Sequence, residues 1–221
     1  MLYLDSANIE GIRQLANTGV FAGVTTNPTI LKQSGLGFND IEQLDSQFLE
    51  LGLTQRFYQT VGRTVPEILA TAERILALGN GVWVKIPAVG AGLEAAAKLR
   101  GEPLLLTAVY HPTQALLAEG LGVDWIAPYI GRMDDIANNG VESAALMAYA
   151  LESSDIGILA ASIRSVDVLF ELMAVGITDF TISIELAQQL IHQTNAMDAW
   201  HAFEQDAAEM DSSTAPTRKD A

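Results

Sequence analysis

A single-domain (β/α)8 TIM barrel is the fold this chain predicts, and three observations predict it. Eight short apolar segments alternate with helical patterns within 221 residues, the arrangement of strand-helix units wound into one parallel sheet. No G-x-G-x-x-G loop follows any of these strands, so a doubly wound open sheet, the alternative, lacks the dinucleotide-binding fingerprint. Polar residues stand where the strands end, at Asp5, Thr26-Asn27, Gln59, Lys85, Thr107, Tyr129 and Ser162. A barrel keeps its chemistry at those ends.

The elements follow in order. Leu2 to Asp5 reads as a strand, and Ser6-Ala7-Asn8 offers an N-cap for a helical pattern of Ile9, Ile12, Leu15 and Ala16, closed by Gly19. Gly23 to Thr26 is a second strand, ended by Asn27-Pro28; one helical stretch follows through Ile41, Leu44, Phe48 and Leu51. Strand Arg56 to Thr60 precedes a helix from Val65 to Leu78 with Ile68, Leu69, Ala72, Ile75 and Leu76 on its apolar face. After strand Val82 to Ile86 comes an alanine-rich helix to Arg100, then strand Leu104 to Thr107, helix Pro112 to Glu119 and strand Trp125 to Tyr129. A sixth helix spans Gly140 to Leu151, strand seven is Gly157 to Ala161, and helix Val166 to Val175 leads to strand eight, Phe180 to Ser183. A core helix over Leu186 to Gln193 completes eight strands and eight helices.

Composition narrows the function. With 49% hydrophobic residues and 18% charged, residues 1-210 can form one barrel with a C-terminal helix, while the polar segment 211-221 is expected to be a disordered tail. There is no cysteine, and His111, His192 and His201 are scattered. Thiolate sites are therefore excluded, and no metal or other cofactor is expected. Met1 leads straight into a strand without a basic or long apolar leader, which points to a cytoplasmic protein. A net charge of −15 opposes binding to nucleic acid or an anionic membrane, so an anionic ligand needs a local cationic pocket.

Lys85 is the residue to explain. It lies in the apolar strand Val82-Trp83-Val84-Lys85-Ile86, stopped by Pro87. Burial disfavours the ammonium, so the pKa falls unless a carboxylate such as Asp5 holds the charge. The structural alternative is a buried ion pair with Asp5. A neutral lysine is a nucleophile, and the convergence of polar strand ends on one mouth favours that role. Arg132 and Arg164, read as lying on the loops after strands six and seven, form with Ser162 a fork suited to a sugar phosphate.

Six stretches in order resemble the transaldolase family, and within it the fructose-6-phosphate aldolases. They are Leu4-Asp5-Ser6-Ala7, Gly23-Val24-Thr25-Thr26-Asn27-Pro28, Val84-Lys85-Ile86-Pro87, Thr107-Ala108-Val109-Tyr110, Ala127-Pro128-Tyr129-Ile130-Gly131-Arg132 and Ala160-Ala161-Ser162-Ile163-Arg164. The resemblance implies a class I (Schiff-base) aldolase in which Lys85 forms an imine with a dihydroxyacetone unit. It also implies that Asp5 and Asn27 bind that unit's hydroxyls and that Asp5 assists proton movements. Gln59, Thr107 and Tyr129 then hold a catalytic water. Transaldolases proper carry glutamate and phenylalanine at the Gln59 and Tyr129 positions, so this pair favours an aldolase.

Ile163, where an aromatic is common, and Thr60-Val61-Gly62 depart from the aldolase pattern. They leave open a different anionic head group such as a sulfonate. A transaldolase, a related enzyme acting on another anionic ketose, and a non-catalytic sugar-phosphate-binding barrel remain as alternatives. The resemblance further implies a homo-oligomer, pentamer or decamer, in which a C-terminal helix bearing Met197, Trp200, Phe203 and Met210 reaches a neighbouring subunit.

Overall fold

The computed structural model describes residues 1–213, and the chain falls into two compact units, Met1–Ala187 and the segment from Gln188 onward. The first unit holds a closed barrel of eight parallel strands in sequence order. They are β1 Leu2–Asp5, β2 Phe21–Thr25, β3 Gln55–Gln59, β4 Val82–Pro87, β5 Leu104–Val109, β6 Trp125–Pro128, β7 Gly157–Ala160 and β8 Asp179–Ile182. The ring closes where Leu2, Tyr3 and Leu4 pair with Phe180, Thr181 and Ile182. Each strand lies within two residues of its expected bounds.

The helices are more numerous than the nine expected, eight around the barrel and one at the C-terminus. They run α1 Ile9–Ala16, α2 Pro28–Gln33, α3 Ile41–Glu50, α4 Val65–Leu76, α5 Gly90–Lys98 and α6 Gln114–Leu121, followed by α7 Ile130–Ala137, α8 Gly140–Ala150, α9 Val166–Ala174, α10 Ile184–Ile191 and α11 Thr194–Ser213. The stretch after Pro28 is two helices rather than one, because Gly35 turns at φ +72° and a 3-10 turn over Phe38–Asp40 intervenes. Helix α7 was not expected at all. It starts directly beyond β6, is eight residues long and buries Ile130, Gly131 and Met133; Asn138, at φ +50°, ends it before α8. The expected tail 211-221 lies outside the described residues beyond Ser213, and α11 runs past its expected boundary at 210.

A two-residue period fills the barrel interior. Tyr3, Phe57, Leu105, Ala127 and Leu159 form a buried cluster, with Trp83 and Trp125 packed against it. The Phe57 and Trp83 rings stack at 5.7 Å and 11°, and Tyr3 meets Phe57 edge-on at 5.5 Å. Two residues further along the same strands come Asp5, Gln59, Lys85, Thr107, Tyr129 and Ala161. The apolar layer is thus the floor of a polar ring. Outside the barrel, Arg56 is buried against Asp45 at 2.7 Å, and the Tyr58 hydroxyl donates to the same carboxylate at 2.9 Å. Those contacts fix β3 to α3 and take no part in the site.

Candidate active site

Lys85 is 4% exposed, and its Nζ donates to the Thr26 carbonyl at 2.9 Å. Among the described residues it makes no ion pair. Desolvation pushes its pKa below the ordinary lysine value, and the charge of Asp5 opposes that fall without forming a contact pair. Asp5 Oδ1 instead accepts from the Thr25 hydroxyl at 2.5 Å. The structural ion pair weighed above is therefore absent, and the amine is held by a single carbonyl.

A cavity of about 210 Å³ opens over this lysine, lined among others by Asp5, Asn27, Lys85, Tyr129, Arg132 and Ser162. At about 30 Å³ per water it has room for roughly seven such groups, the scale of a small polyol. Asn27 caps α2, its Oδ1 accepting from Thr29 N at 2.9 Å and Ile30 N at 3.0 Å. Its amide N–H groups remain for a ligand. Tyr129 and Thr107 share a hydrogen bond of 2.9 Å between their hydroxyls. Burial, more than any other influence, raises the Tyr129 pKa, so the phenol keeps its proton at neutral pH.

Arg132 lies on α7, not on a loop. Its guanidinium sits 4.9 Å over the Tyr129 ring and donates to the Tyr110 hydroxyl at 3.3 Å. That hydrogen bond is the main reason its pKa is raised. Gly131 lets the start of α7 lie against the segment after β7, because a Cβ there would stand 2.5 Å from the Ser162 carbonyl. Ser162 itself adopts φ +59°. A non-glycine residue in the left-handed region is costly and tends to mark functional sites.

The expected arginine fork is not assembled. Arg164 is paired bidentately with Asp135 of α7, both more than half exposed, and it does not line the cavity. Gln59 stands opposite Lys85 in the β3–β4 register yet lines a neighbouring cavity with Thr60, Val61 and Pro87. Thr26 meets Lys85 through its carbonyl, while its hydroxyl bonds Phe57 O at 3.3 Å. Thr29, Ile30 and Gln33 of α2 line the lysine cavity although the sequence reading did not single them out. Their helix was legible, but which face it turns to the mouth was not. Tyr110 was legible only as part of a motif.

Barrel, buried lysine and polar mouth together fit an enzyme of the transaldolase/aldolase kind. The chain belongs to the Transaldolase/Fructose-6-phosphate aldolase family, whose model matches residues 2–220. A "Probable transaldolase" of Moorella thermoacetica is 30% identical over 194 residues, covering 86% of this chain and 89% of that one. Another from Aquifex aeolicus is 32% identical over 192 residues, covering 85% and 87%. Among solved structures, mandelate oxidase with benzoyl-formic acid superposes at a TM-score of 0.61 and 14% identity, covering 86% of this chain and 66% of that one. This chain thus spans just under two thirds of that structure's length, and the likeness is one of fold alone. Among the described residues no helix is long and apolar enough to cross a membrane.

Proposed function

We propose that this chain is a Schiff-base aldolase that cleaves fructose 6-phosphate to dihydroxyacetone and glyceraldehyde 3-phosphate, or forms it from them. The observation that carries the proposal is Lys85, buried at the mouth with a lowered pKa and no ion pair. The neutral amine attacks the ketose carbonyl, and loss of water gives an iminium that draws electrons from the C3–C4 bond as it breaks. The C4 hydroxyl loses its proton, glyceraldehyde 3-phosphate leaves, and an enamine remains on Lys85. Asp5 carries protons through carbinolamine and imine, with Asn27 binding the hydroxyls of the dihydroxyacetone unit. Protonation of the enamine carbon followed by hydrolysis frees dihydroxyacetone. The Tyr129 phenol, hydrogen-bonded to Thr107, supplies that proton directly or through a water that Gln59 helps to orient.

A second reading, a transaldolase that passes the three-carbon unit to an aldose acceptor, is favoured by the names of the Moorella thermoacetica and Aquifex aeolicus relatives. The two differ in one assay. The aldolase releases free dihydroxyacetone from fructose 6-phosphate with no acceptor present; Tyr129→Phe lowers that release by about 10²-fold or more, the range of general-acid contributions. Gln59→Glu raises transfer to erythrose 4-phosphate. Cleavage strictly dependent on an added acceptor would establish the transferase instead.

Arg132 and Ser162 bind the phosphate in this reading, with Arg164 a contributor only where it leaves Asp135. The protein acts as a cytoplasmic homo-oligomer. Helix α11 supports this, since Trp200 is 53% and Phe203 68% exposed, and an apolar stripe of that kind calls for a cover. Light scattering on the full-length chain should give a mass above one chain, and a monomer mass refutes it.

A further inference from the structure

Asp5 must keep one orientation while Lys85 passes through several protonation states, and its side chain alone does not ensure that, because the terminal torsion of an aspartate is broad. A threonine from one flanking strand meets it, backed by a second threonine from the other. Thr25 Oγ1 donates to Asp5 Oδ1 at 2.5 Å, and Thr25 and Thr181 bring their Oγ1 atoms within 2.6 Å of each other. Thr25 is fully buried and Thr181 is 2% exposed. The Thr25 hydroxyl has a single proton, which it gives to the carboxylate. The proton between the threonines must then come from Thr181. The chain runs from Thr181 to Thr25 to Asp5, ending on a carboxylate whose charge strengthens both links.

We propose that Thr181, acting through Thr25, is a positioning residue for Asp5. The pair anchors Oδ1 of a carboxylate that lines the same cavity as Lys85. Neither threonine lines that cavity, so neither touches the substrate. With Thr181 in place, the Thr25 hydroxyl has both an acceptor to serve and a donor to receive from. Without it, the Thr25 oxygen is buried with an unfilled acceptor position, its proton becomes a weaker donor, and the carboxylate gains rotational freedom. The inference rests on the reading of Asp5 as proton carrier to Lys85.

The test compares Thr181→Val, which keeps the shape and removes the hydroxyl, with Thr181→Ser, which keeps the hydroxyl, both in the full-length chain. Valine should lower kcat for fructose 6-phosphate cleavage about tenfold, the scale of one buried hydroxyl left without its partner, with KM within about twofold. Serine should hold kcat near that of the unsubstituted chain. Thr25→Val, which removes the direct donor, should lose about a hundredfold. If valine disturbs folding, Thr181→Ala read against Thr181→Ser makes the same comparison. A folded valine variant with unchanged kcat overturns the inference, as does a serine variant as slow as valine, which would make the loss one of packing. Failure of the underlying reading looks different: the unsubstituted chain would give no borohydride-trapped adduct on Lys85.

Discussion

Turnover in Lys85→Met falls by more than about 10⁴-fold, the scale on which loss of a covalent nucleophile reads. Methionine keeps most of the side-chain volume in an apolar strand and removes only the amine, so the barrel survives. Its melting temperature should rise, because the cost of burying an ionisable amine disappears. Each kcal/mol released corresponds to about 2–4 °C for a chain of this size. The pH dependence follows from the same shift. Burial lowers the folded-state pKa below 10.5, so between the lowered value and 10.5 the unfolded chain binds more protons at this site than the folded one. This contribution therefore destabilises fully below the folded pKa and is relieved as pH rises through that window. Lys85→Met removes that slope. The rate of imine formation should likewise climb with pH and level off below 10.5. A calorimetric pH series on both chains checks the sign.

Arg132→Ala should raise KM for phosphorylated substrates about 10- to 100-fold while leaving glyceraldehyde within about twofold of the unsubstituted chain, since a charge-assisted contact contributes roughly 1.5–3 kcal/mol. Arg132 is the cation that lines the cavity, and its hydrogen-bond partner is a neutral tyrosine rather than a carboxylate. Arg164→Ala should have a smaller effect, because Asp135 already occupies that guanidinium and both side chains are more than half exposed. Equal losses with glyceraldehyde and glyceraldehyde 3-phosphate would remove Arg132 from the phosphate site. Steady-state kinetics with the two aldehydes as acceptors in the synthetic direction decides it.

The strands were legible because their cause is local. Short β-branched and apolar runs bounded by Gly, Asn and Pro have no other use in a chain of this pattern. Lys85 was legible for the same reason, as a charge in a run that has no room for one. Helix α7 was not. It is only eight residues long and starts directly at the end of β6, so its few apolar positions, Ile130, Met133 and Ala137, read as the tail of the strand rather than as a separate helix. Missing it placed Arg132 on a loop and paired it with Arg164, whereas Asp135, one turn later on the same helix, takes Arg164 for itself. The Thr25–Thr181 contact joins residues 156 apart in sequence across barrel strands, and nothing in either neighbourhood announces it. Gln59 sits in the expected register beside Lys85, but it lines a cavity shared with the β3–α4 loop, which pairing register alone does not reveal.

The most direct test of the central claim is borohydride reduction of the full-length protein with fructose 6-phosphate or dihydroxyacetone present, followed by peptide mass mapping. The account predicts a substrate-dependent mass increase on the peptide containing Lys85, none on any other lysine, and none in Lys85→Met. A protein that turns over substrate and gives no adduct, or an adduct elsewhere, contradicts it.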